Sequence, residues 1–405
     1  MRILHTSDWH LGQHFFGQTR LEEHKAFIRW LLAKVQEQAV DVVIIAGDVF
    51  DTGTPPSYAR ELYHFFLAQL SQLKVQCVVL GGNHDSVAML QESKAILACL
   101  NITVIPGLMT DLAAHLIPLK EVSGEHKAWL CGLPYLRPRE LVTSQAGQTQ
   151  QQKQAELLQA MQAQYQSIKA LADAQPGDLP IIGTGHLTTL GASLSESVRD
   201  LYIGLLDAFP ADAFPAFDYL ALGHIHRSQR VGGSETMRYS GSPIPLSFDE
   251  AQQPKKVLLV DLESRQSIRV EELEVPQFRH LESLQATLSD LPQQLNKIAE
   301  KASFESPAWI EIRFQSDAYL TDLQPRIEAL TAELPIEVLR IRRERTVTAE
   351  GLASDQQQQQ LQELTTEDVF KRRLAIEVLE PDEQQAMITL HQQLVEQLLL
   401  GSDQG

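Results

Sequence analysis

Val40-Asp41-Val42-Val43-Ile44-Ile45-Ala46-Gly47-Asp48-Val49-Phe50-Asp51 is the stretch on which the fold turns. From Val40 to Ala46 every residue but Asp41 is apolar. A half-buried strand alternates apolar with polar residues, so a run without alternation marks a strand covered on both faces. The run stops at Gly47, and the acidic residues Asp48 and Asp51 follow at its end. The same grammar recurs on both sides. Upstream, Ile3 to Thr6 reads as a short strand that ends in Asp8-Trp9-His10. Leu21, His24, Phe27, Ile28, Leu31, Leu32 and Val35 then recur at helical spacing. Downstream, a helix is expected from about Tyr58 to Leu73, then a strand from Val75 to Leu80 that ends in Gly82-Asn83-His84-Asp85. Strands and helices alternating at these lengths predict layered βαβ units.

Further strands are expected at Ile102 to Ile105, Trp129 to Leu133, Ile181 to Gly183, Tyr219 to Leu222 and Val257 to Val260. Residues 145–172 are rich in Gln and Ala, yet Leu157, Met161, Tyr165 and Ile168 mark an apolar stripe. They read either as an inserted helix or as a flexible loop. Pro276 marks a boundary. A helix bearing Leu284, Leu288, Leu291, Leu295 and Ile298, a strand Trp309 to Phe314, a helix around Leu320 to Leu330 and a strand Ile336 to Ile341 predict a small α/β module. The expected domains are therefore 1–275, 276–346, and a linker with helices over 347–405. Gln356 to Gln360 suits the linker, Thr365-Thr366-Glu367-Asp368 resembles a capping box, and Met387, Ile388, Leu394, Val395, Leu398 and Leu399 share one helical face. That face fits docking on a partner; packing on the chain's own α/β module is the alternative.

The 405 residues are 43% hydrophobic and 21% charged, as in ordinary globular proteins. Net charge is −18, which excludes nucleic-acid binding by bulk charge; such contact needs local patches, metal ions or a partner. Arg340, Arg342, Arg343 and Arg345 form one basic cluster, read either as a phosphate contact or as a solvated face, and Arg137 and Arg139 another. Cys77, Cys99 and Cys131 are isolated, so free thiols are expected rather than a disulfide framework. Met1-Arg2-Ile3-Leu4 runs straight into the first strand, so no cleaved leader is expected, and a reducing cytoplasm fits the composition.

The chemistry lies in five motifs, each directly after an expected strand: Asp8-Trp9-His10, Gly47-Asp48-Val49-Phe50-Asp51, Gly82-Asn83-His84-Asp85, Gly185-His186 and Gly223-His224-Ile225-His226. Singly, most have bland readings. Asp and Gly are common in turns, and a lone His186 is as well explained by a hydrogen-bonded core position. Together they place carboxylates, imidazoles and an amide in the crevice where the carboxyl ends of strands converge. That ligand set suits manganese, iron or zinc, and the absence of thiolates argues against a structural zinc site. The inferred assignment has Asp48 bridging two divalent ions. Asp8, His10 and His226 complete one shell, and Asn83, His186 and His224 the other. His84, beside a ligand but needed by neither shell, is the expected catalytic acid, with Asp85 expected to orient it and raise its basicity.

Ser7-Asp8-Trp9-His10-Leu11-Gly12, Ala46-Gly47-Asp48-Val49-Phe50-Asp51, Gly82-Asn83-His84-Asp85, Gly223-His224-Ile225-His226 and Gly241-Ser242-Pro243 resemble the calcineurin-like metallophosphoesterase superfamily. Within it they resemble the SbcD-type bacterial nuclease subunits. The resemblance implies an α/β fold: a layered β-sandwich flanked by helices, a small capping domain and a C-terminal helical tail. It also implies two Mn2+ ions, 3′-to-5′ exonuclease action on double-stranded DNA, and endonuclease action on single strands and hairpins. The cellular roles implied are DNA repair, recombination and replication, in the cytoplasm and on the nucleoid. The implied partners are a second copy of the chain, DNA, and an SbcC-like coiled-coil ATPase, in a complex of two nuclease and two ATPase subunits. A phosphomonoesterase on the same metal core is the rival reading, separable by comparing p-nitrophenyl phosphate with a hairpin oligonucleotide. A non-catalytic scaffold is a second rival, excluded by any metal-dependent turnover.

Overall fold

A computed structural model describes residues 1–143, 148–190, 192–193, 195, 197, 208–315 and 323–344, with residue 387. The expected tail helices and the linker at Gln356 to Gln360 lie outside the described residues, apart from Met387.

The strands are β1 (Arg2–Thr6), β2 (Val42–Ala46), β3 (Gln76–Leu80), β4 (Ile102–Ile105), β5 (Leu116–Lys120), β6 (His126–Cys131), β7 (Ile181–His186), β8 (Tyr219–Gly223), β9 (Gln229–Arg230), β10 (Met237–Tyr239), β11 (Lys256–Ser264) and β12 (Ser267–Glu274). They form two six-stranded sheets, ordered β12-β11-β1-β2-β3-β4 and β9-β10-β8-β7-β6-β5. The centre of each sheet is parallel: Leu4 pairs with Val43, Ile45 with Val79, and Leu222 with Gly185.

Side chains two apart on a strand share a face, and β2 shows what each face meets. Val42, Ile44 and Ala46 point into the space between the sheets, against Leu130, Ile182, Tyr219 and Ala221. Val43 and Ile45 point outward, against helices α1 (Leu21–Glu37) and α2 (Ser57–Gln72). That is why the run has no polar positions. The outer face of the second sheet is covered by α3 (Gln150–Asp173) through Leu157, Met161, Tyr165 and Ile168. From Gln150 onward the Gln/Ala-rich stretch is thus a helix, opened by a capping box between Thr149 and Gln152. The result is a helix–sheet–sheet–helix sandwich.

A three-stranded parallel sheet follows: β13 (Leu281–Ala286), β14 (Ala308–Gln315) and β15 (Ile336–Glu344), with α4 (Leu291–Ala299) and α5 (Leu323–Thr331). One expected element is corrected here. Helical spacing predicts that Leu284 and Leu288 begin a helix, but Leu281–Ala286 is a strand and the helix begins at Leu291. Spacing alone fits both states over so short a span. Pairing of Leu284 with Ile312 on the neighbouring strand settles it, a tertiary override of local periodicity.

Candidate metal centre

The five motifs meet at one end of the sandwich, beyond the carboxyl ends of β1, β2, β3, β7 and β8. Three groups of side chains there have ligand atoms within 4.8 Å of one another: Asp8, His10 and His226; Asp48, His186 and His224; and His10, Asp48 and His84. Asp8, His10, Asp48, His186, His224 and His226 are all buried, whereas Asn83 and His84 are partly exposed. Asp48 Oδ2 lies 3.1 Å from His186 Nε2 and 3.7 Å from His10 Nε2, so one carboxylate oxygen faces both groups. Asn83 Oδ1 lies 3.0 Å from His186 Nε2.

The backbone is shaped for this convergence. Asp8, His10, Asp48 and His224 adopt positive φ, at 54°, 46°, 49° and 95°, a region that residues with a Cβ rarely enter. The glycines beside the ligands are steric necessities. A Cβ on Gly82 would lie 2.1 Å from Asp48 Oδ1, and one on Gly223 would lie 2.0 Å from Ala46 O.

Hydrogen bonds fix which ring nitrogen His186 and His10 present. A carbonyl only accepts, so His186 Nδ1–H donates to Ala46 O at 2.8 Å, and its Nε2 faces Asp48 and Asn83. His10 Nδ1 donates to Asp51 Oδ1 at 3.1 Å, leaving Nε2 turned inward. His10 Nε2 and His224 Nε2 are buried with no hydrogen-bond partner among the described residues. Buried ring nitrogens left without a partner beside two carboxylates call for a cation. Without metal, the charges settle as this demands. Burial opposes a charge on His186, but Asp48 wins and raises it to about 9. Burial works against the Asp48 carboxylate too, yet His186, His10 and His84 hold it well below the usual range. Burial, helped by His186, lowers His224 well below the normal histidine value. Two carboxylates, four imidazoles and an amide, with no thiolate, fit divalent manganese, iron or zinc.

Asp85 does not orient His84, as adjacency in the sequence suggests it should. Its carboxylate accepts from the backbone N–H of Gly82 (2.8 Å), Phe50 (3.0 Å) and Val49 (3.2 Å), tying the loop after β3 to the loop after β2. Burial pushes its pKa up to about 6, with Asp48 adding to the rise. The partner of His84 Nδ1 is Asp51 O, at 2.7 Å. Asp51 thus anchors both His10 and His84, a role its place in the motif did not disclose.

Ser197, Glu250 and Lys255 support the site and gave no signal in the sequence, whereas the basic residues read there take up structural ion pairs and hydrogen bonds. His226 Nδ1 meets Ser197 Oγ at 2.5 Å and lies 3.4 Å from Glu250 Oε1. Glu250 is fully buried and paired with buried Lys255 Nζ at 2.6 Å. Lys255 also donates to His226 O at 3.0 Å. Arg137 donates to Asp85 O at 3.0 Å and bolts the loop bearing Asn83 and His84. Arg340 and Arg342 flank buried Glu311 at 3.3 and 4.0 Å, and Arg313 bonds it at 2.7 Å. Arg345 lies outside the described residues.

A family model described as calcineurin-like phosphoesterase matches residues 1–228. The SbcD component of the nuclease SbcCD from Escherichia coli (strain K12) is 51% identical over 389 residues, 96% of each chain. The chain belongs to the SbcD family of calcineurin-like phosphoesterases. The Rhodobacter capsulatus protein of the same name is 34% identical over 371 residues, 88% of this chain and 91% of its own. The Bacillus subtilis one is 30% identical over 284 residues, 64% and 66%. A second family model, described as Type 5 capsule protein repressor C-terminal domain, matches residues 277–378. Membership makes the chain a metal-dependent phosphoesterase. No helix among the described residues is long and apolar enough to cross a membrane.

Proposed function

We propose that this chain is the nuclease component of an ATP-regulated DNA-processing complex, cutting phosphodiester bonds with two Mn2+ ions. The observation that carries the reading is Asp48 Oδ2 standing between His186 Nε2 and His10 Nε2, with each ring's other nitrogen already committed as a donor. Asp8, His10, Asp48 and His226 would hold one ion; Asp48, Asn83, His186 and His224 the other. Such a pair supplies an activated water and neutralises charge on the phosphate. The chain's own residues do the rest. His84, partly exposed and held at Nδ1 by Asp51 O, presents Nε2 to the substrate and donates a proton to the leaving oxygen. Asp85 holds the loop that carries Asn83 and His84.

The proposed activities are 3′-to-5′ exonuclease on double-stranded DNA and endonuclease on single strands and hairpins, in the repair and recombination of cytoplasmic DNA on the nucleoid. The proposed division is a nuclease domain at 1–275, a capping domain at 276–346 and partner-docking helices at 347–405. Arg340, Arg342, Arg343 and Arg345 are the proposed phosphate contacts of an otherwise acidic chain. Exposed Phe65 and Ile96, lining a groove beside α2, suit a second copy in a homodimer. An SbcC-like ATPase is the proposed partner for the tail, with two copies of each protein per complex.

The test is to incubate the chain, alone and with that ATPase, with end-labelled hairpin DNA and Mn2+. Hairpin opening that vanishes on chelation is the expected result. Turnover of p-nitrophenyl phosphate with no cleavage of DNA would overturn the reading in favour of a phosphomonoesterase.

A further inference from the structure

Between the sandwich and the three-stranded sheet lies a small separate core of Phe15, Phe248, Leu281 and Trp309. Trp309 of β14 lies flat on Phe15, with ring centroids 5.8 Å apart and planes 9° from parallel. Phe248 meets Phe15 edge-on at 5.0 Å. Cations close both ends: the Arg279 guanidinium sits 4.3 Å from the Trp309 ring, and that of Arg20 5.0 Å from the Phe15 ring. Glu23 joins the two ends, bonding Arg20 Nε at 3.0 Å and lying 3.7 Å from Arg279 Nε.

What the stack holds is informative. Phe15 follows the His10 segment, whose turn is closed by Gln13 N–H donating to His10 O at 3.0 Å. Phe248 opens the one-turn helix Phe248–Glu250. Glu250, at its end, accepts from Ser197 and from Lys255 around His226. His10 and His226, with ring centroids 5.1 Å apart, belong to the same candidate ligand group, together with Asp8. The supports of His186, by contrast, are Ala46 O and Asn83, away from the stack; Asp48 meets the His10 segment only through His10 N–H, which donates to Asp48 O at 3.1 Å, and through the His10 ring at 3.7 Å.

We propose that Trp309 is a positioning residue for one ion only: seated on Phe15 and Phe248, it fixes His10 and His226 and thereby sets the affinity of the Asp8–His10–His226 ion site. This rests on the two-ion reading above. Partners that orient a ligand without touching the metal are worth roughly 10–100-fold in metal affinity. Trp309→Ala therefore weakens one Mn2+ site about tenfold or more and leaves the Asp48–His186–His224 site within about twofold. Trp309→Phe, which keeps a ring on Phe15, restores most of the loss. Glu250→Gln weakens the same site, and the double variant loses less than the two singles added together, because both act in part through the Phe248–Glu250 turn.

The experiment titrates metal-free full-length chain with Mn2+ alone, counting free ion by electron paramagnetic resonance, with thermal melts as a folding control. A parent chain that fails to take up two ions defeats the two-ion reading itself. A parent with two sites and a Trp309→Ala variant with two unchanged sites overturns the coupling. Equal weakening of both sites, or strict additivity with Glu250→Gln, overturns it too, because either result means general loosening.

Discussion

Gly82→Ala adds one methyl group where the geometry leaves no room. The new Cβ would lie 2.1 Å from Asp48 Oδ1, and 2.3 Å from Asp48 N, which is backbone and has no rotamer to escape into. Reaching ordinary contact requires the loop after β3 and the loop after β2 to part by about 1 Å, and misplacement of that size at a reacting centre costs on the order of 10²-fold in rate. Gly82 has no positive φ, so the effect is one of space and not of backbone strain. Gly53→Ala is the matched control: it lies near the same loops, and its added Cβ would make an ordinary 3.6 Å contact with Ser86 Cβ. Bound metal is measured by elemental analysis after gel filtration, and turnover on a short labelled DNA with Mn2+. Gly82→Ala is expected to lose occupancy at both sites, since Asp48 faces both groups, and to fall about a hundredfold in turnover. Gly53→Ala keeps both ions and its rate. Two ions and parental turnover in Gly82→Ala would refute the claim that Asp48 must sit where it does.

Three further outcomes are expected. His84→Ala keeps both ions and its DNA affinity while cleavage falls roughly 10²–10⁴-fold, whereas His224→Ala loses metal and is partly rescued by excess Mn2+; loss of an ion from His84→Ala would make His84 a ligand, as its place within 4.8 Å of His10 and Asp48 allows. A chain ending at Ala353 folds and cleaves short DNA but no longer co-purifies with the ATPase; undiminished co-purification removes the tail from docking. His5 is fully buried, and burial, with Arg238 nearby, lowers its pKa to about 3. An unfolded histidine titrates at ~6.5, so the stability of burying the neutral ring is complete above that pH and is lost as pH falls below it. Urea melts at pH 8 and pH 5 should show the parent losing about 2 kcal/mol more than His5→Phe.

The parts legible in the sequence were those where one physical demand acts alone. A strand buried on two faces must be apolar throughout, and Val42 to Ala46 is. A ligand at a crowded strand end needs a glycine for a neighbour, and Gly47, Gly82 and Gly223 stand where they must. Asp51 was visible as part of a motif, but its hold on two histidines depends on a loop that crosses to residue 84. Glu250 and Lys255 look like surface charges in the sequence; only folding brings them, buried, against His226. Adjacency alone pairs Asp85 with His84, and three backbone N–H groups claim the carboxylate instead. The strand Ser267–Glu274 escapes a reading by periodicity because it lies at a sheet edge, where half-exposed polar residues are free to appear.

His186 extends from the second sheet to bond Ala46 O on the first, and the gathered side chains range from Asp8 to His226. An ion seated among them would tie distant parts of the chain together much as a covalent crosslink does. It binds the folded form and not the unfolded one, so at a hundredfold excess over its dissociation constant it contributes about 2.7 kcal/mol to folding. Metal supply then governs survival as well as catalysis. A cell starved of the ion would hold a larger unfolded fraction, open to its proteases, and would lose the protein along with the activity. Repletion would restore function at the pace of new synthesis rather than of diffusion.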